Sequence, residues 1–211
     1  MYLYNKPPGV TINQFIELIK KRDNLGKICF CGRLDPMARG EIIILENEEC
    51  KQMYDYTGKN KIYNFEIILG LKTTSDDPLG VLESENYNIE DITINKLHTI
   101  LNKYKKITFE QKFHKFSSKN VDGKPLWYYT KNNIMVDIPK HTVSIFNIDI
   151  KSKKTYNFNS WKHKIINEIS SIDRSKDFNQ KNIIKQWDNI NISKLISIPI
   201  EIKVSSGFYV R

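Results

Sequence analysis

Gly32-Arg33-Leu34-Asp35-Pro36-Met37-Ala38-Arg39-Gly40 is the stretch of this 211-residue chain whose reading decides the fold. A carboxylate stands between a glycine turn and a proline, and Gly40 runs directly into the apolar residues 42–45, which read as a buried strand. Proline restricts the backbone on both of its sides, so Asp35 is held at a defined edge of that strand. A lone aspartate in a turn most commonly caps local amides. Asp35 becomes a candidate for chemistry through the residues that accompany it elsewhere.

Upstream, residues 2–4 read as a short strand broken by Lys6-Pro7-Pro8-Gly9. Thr11 and Gln14 have the spacing of a capping box, and Ile12, Phe15, Ile16 and Ile19 form a helical stripe that ends near Asn24-Leu25-Gly26. Downstream, a short helix is expected from about 48 to 56 and a long strand over 62–71. A polar turn follows, Thr73-Thr74-Ser75-Asp76-Asp77-Pro78-Leu79-Gly80. Thr93 then caps a helix with Ile94, Leu97, Ile100, Leu101 and Tyr104 on one face. Strands are expected at about 107–116 and 142–151, around a helix that begins near Lys124. Val143 and Ile145 alternate with Ser144 and Phe146, a mixed pattern that suits a half-buried strand. Alternation at Ile198, Ile200, Ile202 and Val204 closes the chain on another.

Between them, over about 152–196, lysine, asparagine and serine dominate, yet Trp161, Ile165, Ile166, Ile169 and Ile172 keep helical spacing. One or two amphipathic helices inserted between strands are the expectation. Lys151, Lys153, Lys154, Lys162 and Lys164 around Trp161 fit either an RNA contact or a solvated helical flap.

Composition bounds the function. The formal charge of +9 favours a polyanionic partner, because neutralised phosphates supply the sequence-independent part of nucleic-acid affinity. Cys29, Cys31 and Cys50 leave one cysteine over from any pairing, and the one-residue gap between the first two is poor zinc spacing. His98, His114, His141 and His163 are scattered, so neither a metal nor another cofactor is expected. The first residues lack the apolar run of a signal peptide, and no stretch is long and apolar enough for a membrane span. The expectation is a soluble, monomeric protein of the cytoplasm or another intracellular compartment, an organelle included.

Five blocks in order make the chain resemble the TruB family of tRNA pseudouridine synthases. They are Lys6-Pro7-Pro8-Gly9-Val10-Thr11; residues 32–40; Lys61-Ile62-Tyr63, running on to Leu69-Gly70; Phe116-Ser117-Ser118-Lys119 through Gly123 to Tyr128; and Ser205-Ser206-Gly207-Phe208-Tyr209-Val210-Arg211. A lone Leu-Asp-Pro would be weak evidence; five ordered blocks over nearly the whole chain are specific. The resemblance implies an α+β fold, a mixed and largely antiparallel sheet flanked by helices. It also implies one catalytic domain over 1–211 with the 152–196 insertion and without the family's small C-terminal RNA-binding PUA domain.

The resemblance further implies the roles. Asp35 matches the carboxylate that acts on the target uridine, Tyr63 the tyrosine that stacks near the flipped base, and Arg211 the arginine that pairs with the carboxylate. Lys6, Phe30, Arg33, Lys61, Asp77 and Tyr209 are the expected substrate contacts. Phe30 stands where the family usually has a histidine, and Arg33 gives the block a spelling shared with rRNA-modifying synthases. The expected partner is RNA, with the T-arm of tRNA first. An rRNA or other RNA pseudouridine synthase, and a non-catalytic RNA-binding or tRNA-folding protein, are the alternatives.

Overall fold

Turn residues and apolar alternation cut the chain into short elements, which the computed structural model describes over residues 1–85 and 94–211. In chain order they begin β1 (Tyr2–Lys6), α1 (Ile12–Arg22), β2 (Ile28–Cys31), β3 (Gly40–Glu46), α2 (Met53–Thr57), β4 (Lys61–Ile68), β5 (Leu71–Thr73) and β6 (Leu82–Glu85). Then come α3 (Ile94–Asn102), β7 (Ile107–Lys112), β8 (Asn120–Val121), β9 (Lys124–Pro125) and α4 (Leu126–Lys131). The last are β10 (Lys140–Ile150), β11 (Lys154–Asn157), α5 (Phe158–Ser171), α6 (Gln180–Asn189) and β12 (Lys194–Val204). Thr93, the expected cap of α3, lies outside the described residues. The fold is α+β with mainly antiparallel pairing, and it divides into two compact units.

The first unit comprises Met1–Lys59, Asp77–Glu83 and Tyr156–Leu195. Its sheet has the order β1-β3-β2, antiparallel throughout, with Lys6 opposite Gly40 and Cys31 opposite Ile43. The four residues of β2 were too short a run to stand out by periodicity; pairing with β3 is what makes them a strand. Thr11 caps α1 as expected, its hydroxyl accepting from the Gln14 amide at 3.1 Å while the Gln14 side chain accepts from the Thr11 amide at 3.4 Å. Ile12, Phe15 and Ile19 then bury against Ile42 and Ile44, each side chain contributing roughly 1.5–3 kcal/mol.

The inserted segment forms two helices, and it is built into this unit. Ile165 and Ile169 of α5, and Ile183 and Trp187 of α6, are buried. Trp161 packs edge-on against Trp187 with 5.5 Å between ring centroids. Lys162 donates to the carbonyls of Asp188 and Ile190 at 3.1 and 3.4 Å, answering acceptors that the end of α6 leaves open. Trp161 and Lys162 therefore both have a structural use within the helix pair, and both stay half-buried.

The second unit comprises Asn60–Asp76, Ser84–Thr155 and Ile196–Arg211. Here β12 is central, with β4 on one edge and β10 on the other, β7 beyond β10, and β11 completing five strands. Tyr63 stands opposite Ile202 and packs, with Phe65 and Ile67, against a core of Ile145, Ile148, Ile198, Ile200, Ile202 and Val204. The mixed alternation around Val143 has a physical cause: the register with β12 shifts between Ile145 and Asn147. That bulge lets Ile145 and Ile148 both face the core while Phe146 between them stays outward, in a strand that is half-buried as its pattern implied. The expected strand over 62–71 is likewise interrupted, at Leu69-Gly70, into β4 and β5.

Candidate active site

The first unit holds Lys6, Phe30, Arg33, Asp35 and Asp77; the second holds Lys61, Tyr63, Tyr209 and Arg211. Residues 32–39 join β2 to β3 as a loop with few backbone partners of its own. Its carbonyls find one in Lys6. The Lys6 side chain is 1% exposed, and its ammonium donates to the carbonyls of Pro7 (3.0 Å), Asp35 (3.1 Å), Pro36 (3.3 Å) and Ala38 (2.8 Å). Register explains the reach, since Lys6 pairs with Gly40 at the foot of the loop. This corrects the expectation for Lys6: an ammonium buried this far and turned onto four carbonyls supports the loop and does not face a substrate.

Burial pushes the Lys6 ammonium down from its ordinary 10.5 to about 8, while the charge of the Asp35 carboxylate pulls it back up. Two further bonds tighten the turn, Gly9 amide to the Pro36 carbonyl at 2.9 Å and Ala38 amide to the Asp35 carbonyl at 3.0 Å. Asp35 itself is half-buried at the crest of this scaffold. Arg33 is exposed, with its guanidinium carbon 5.3 Å from the Phe30 ring centroid. Phe30 is half-buried in β2 and packs against the core beneath α1.

The inserted helix α5 also reaches this loop. A Cβ on Gly9, whose φ is +80°, would lie 2.6 Å from the Glu168 carbonyl oxygen, so a side chain is excluded there. The Glu168 carboxylate lies 3.7 Å from the guanidinium of Arg39. Nothing in local sequence pattern links residue 168 to residues 9 and 39; sequence reasoning missed it.

Asp77 opens a turn in which its own Oδ1 accepts from the Leu79 amide at 2.9 Å. The turn is anchored by α6, through Trp187 Nε1 to the Pro78 carbonyl (2.9 Å) and the Leu82 amide to the Gln186 side chain (2.9 Å). One Asp77 oxygen is thus committed to local structure.

In the second unit, Lys61 and Tyr63 share the inward side of β4, whereas Ile62 between them is 60% exposed. Burial lowers the Lys61 ammonium from its ordinary range. Beyond β12, the closing residues are held by groups that sequence reasoning did not single out. Gln111 grips Tyr209 reciprocally, its NH2 donating to the Tyr209 carbonyl at 2.8 Å and its oxygen accepting from the Tyr209 amide at 3.0 Å. The Tyr209 ring stands edge-on to Phe113 and His141, which stack on each other 4.1 Å apart. His141 Nε2 meets the Gly207 carbonyl at 2.9 Å, and a Cβ on Gly207 (φ +86°) would come within 3.3 Å of that imidazole. Arg211 is half-buried and donates to the Ser75 carbonyl at 3.3 Å.

No cluster of metal-ligating side chains occurs among the described residues, and none of their helices is long and apolar enough to cross a membrane. The arrangement offers a supported carboxylate in one unit and a tyrosine and an arginine on firmly held strands or turns in the other.

Comparison with known proteins gives this arrangement a context. Residues 20–165 match the family model described as TruB family pseudouridylate synthase (N terminal domain). A Mesoplasma florum protein named tRNA pseudouridine synthase B is 31% identical over 150 residues, 70% of this chain and 51% of that protein. A Ureaplasma urealyticum protein of the same name is 29% identical over 208 residues, 98% of this chain and 73% of that one. A chain in the crystal structure of a Cbf5-Nop10-Gar1 complex has the same fold, with a TM-score of 0.52 over 98% of this chain, 40% of its own length and 14% identity. The chain spans about half the length of the first of these relatives.

Proposed function

The chain belongs to the TruB family of pseudouridylate synthases, and from that premise we propose that it isomerises a uridine in RNA to pseudouridine, with Asp35 as the catalytic carboxylate. The observation that carries the proposal is the loop of residues 32–40, whose backbone a buried lysine holds by three of its carbonyls while the aspartate stays at its crest. A reacting group must be fixed to within a fraction of an ångström, and preorganised support of this kind supplies that.

The reaction needs no net input. The C1′–N1 bond of the uridine breaks, the base turns, and a C1′–C5 bond forms; C5 gives up its proton and N1 ends with one. An ionised carboxylate acts at the sugar, either on C1′ or on a sugar proton, and a cation nearby favours the ionised form. Tyr63 is the candidate to stack on the detached base and stand near the C5 proton, and Arg211 the candidate cation partner. Phe30, Arg33, Lys61, Asp77 and Tyr209 remain the candidate substrate contacts, while Lys6 passes to loop support. Extruding the uridine from its stack costs a few kcal/mol, least in a loop. A tRNA uridine is the proposed target on the strength of the relatives' names, which say tRNA of those proteins; the T-loop position and an intracellular tRNA pool are carried over from the motif resemblance alone.

The test is incubation of the purified chain with unmodified tRNA and rRNA transcripts, followed by mass-spectrometric mapping of new pseudouridine. One modified T-loop position is expected. Asp35→Asn should leave RNA binding in place and cut turnover to below about 1% of the parent, because an amide can be neither nucleophile nor base. Turnover retained by Asp35→Asn would remove Asp35 from the mechanism.

A further inference from the structure

The inserted helices reach both candidate loops of the first unit. Helix α5 is anchored in the core by Ile165 and Ile169, and its last turn meets the opening block of the chain. There the backbone of Glu168 lies so close to the buried Gly9 that no side chain fits between them. Gln14 closes the contact, its NH2 donating to the Ser171 carbonyl and its oxygen accepting from the Asp173 amide, both at 3.3 Å. Helix α6 holds the turn that Asp77 opens, through Trp187 to the Pro78 carbonyl and Gln186 to the Leu82 amide. The edge-on Trp161–Trp187 contact makes the two helices one body.

Glu168 stands where a carboxylate is unfavourable. Its side chain is 16% exposed, and the last turn of a helix already presents partial negative charge. Helix α5 has no basic residue in that turn to offset it. The cation comes from the loop, as Arg39, 3.7 Å away. The two contacts of Glu168 therefore bracket the residues that follow Asp35. Gly9, against which its carbonyl is pressed, donates its amide to the Pro36 carbonyl at 2.9 Å. Arg39 follows Ala38, whose amide closes the turn on the Asp35 carbonyl at 3.0 Å.

We propose that α5 and α6 brace the two candidate loops, and that Glu168 is a positioning residue that sets the place of Asp35 through Arg39 and Gly9. The proposal rests on the reading of Asp35 as the catalytic carboxylate, and it gives the insertion a part in the reaction that requires no contact with RNA. A displacement of about 1 Å at a reacting group costs on the order of 100-fold in rate. An ion pair with one exposed partner adds little to stability. The effect of breaking this one is therefore expected in kcat and not in Tm.

The experiment compares the full chain with Glu168→Gln, Arg39→Gln and the double variant, reading pseudouridine formation on an unmodified tRNA transcript. Each single substitution should lower kcat about 10-fold. Transcript affinity, measured with Asp35→Asn added, should stay within about 2-fold of the parent. The double variant should be no slower than the slower single one, because both remove the same contact. Hydrogen exchange supplies a readout that needs no turnover. The Gly9 and Ala38 amides, which hold the loop, should exchange about 10-fold faster in Glu168→Gln, while those of Ile42 and Ile44 in β3 stay as they were. Thermal denaturation gives the folded fraction of each variant. Unchanged kcat and exchange, additive losses, or a kcat loss matched by the unfolded fraction would each overturn the brace and leave the synthase reading intact. So would a rise in KM at constant kcat, the mark of Arg39 as a phosphate contact. Faster exchange at Gly9 and Ala38 in a chain that makes no pseudouridine would overturn the synthase reading and leave the brace.

Discussion

Of the segments that carry the candidate catalytic groups, two are held in opposite ways. The loop of residues 32–40 rests on one buried cation that answers the carbonyls of Asp35, Pro36 and Ala38, and of Pro7 beside it. The closing segment rests on a reciprocal glutamine–backbone pair at Tyr209 and a stacked Phe113–His141 platform beneath it. A single ammonium can gather several carbonyls from an irregular loop, which no neutral side chain can do, but it must be desolvated to do so. A side-chain amide matches one donor and one acceptor and suits a backbone that is already extended. The first support is strong, concentrated and sensitive to pH; the second is spread over several modest contacts.

The largest effect expected from breaking this contrast is that of Lys6→Met. The methionine fills much of the volume and leaves four carbonyls without their donor, costing about 3–5 kcal/mol in chemical denaturation. Turnover should fall by two orders of magnitude or more with the transcript still bound, because the group that suffers is the support of Asp35. A loss of stability without a change in kcat would separate the lysine from the loop's function.

Alkaline pH offers a milder way to remove the same charge. Lys6 sits near 8 when folded and 10.5 when free, so between those values the folded chain holds fewer protons than the unfolded one. Its own contribution to stability therefore rises with pH in that window, as the cost of burying a charge is relieved. The neutral amine has one donor fewer for the same carbonyls and no longer attracts the Asp35 carboxylate. Turnover should decline above about pH 8 while the Lys6 contribution to stability does not. A pH profile of kcat beside urea denaturation at each pH checks this, and a flat kcat profile from 8 to 10 would exclude the lysine as its cause.

Gln111→Leu should have the smallest effect. Losing two hydrogen bonds to Tyr209 costs about 1–2 kcal/mol, and turnover should fall less than for Lys6→Met, with no change in the alkaline limb. An effect equal to that of Lys6→Met would mean that the two supports are not distributed as described.

Much of this was legible beforehand where the signal is local. The capping box at Thr11 and Gln14, the stripe that buries Ile12, Phe15 and Ile19, and the alternation of β12 all follow from spacing along a few residues. Asp35 stood out because its neighbours in sequence are unusual and four other blocks kept it company. The strand β2, the bulge at Phe146 and the break at Leu69-Gly70 were not legible, since each depends on what the partner strand offers.

By itself the sequence determined which residues carry charge, rings and turns, and in what order, hence the α+β class and the family. Tertiary structure decided what each is used for. From type alone Lys6 reads as an RNA contact and Trp161 as either an RNA contact or part of a helical flap, yet one is 1% exposed beneath a loop and the other is packed on a helix partner 26 residues away, at Trp187. Lys119 and Trp127, ordinary members of a motif by spelling, stand in water on a fixed hairpin and helix. A cation or an indole has the same chemistry in either place. Whether it faces solvent or a carbonyl is set by contacts between segments far apart in the chain, and no window of sequence contains both of their sides.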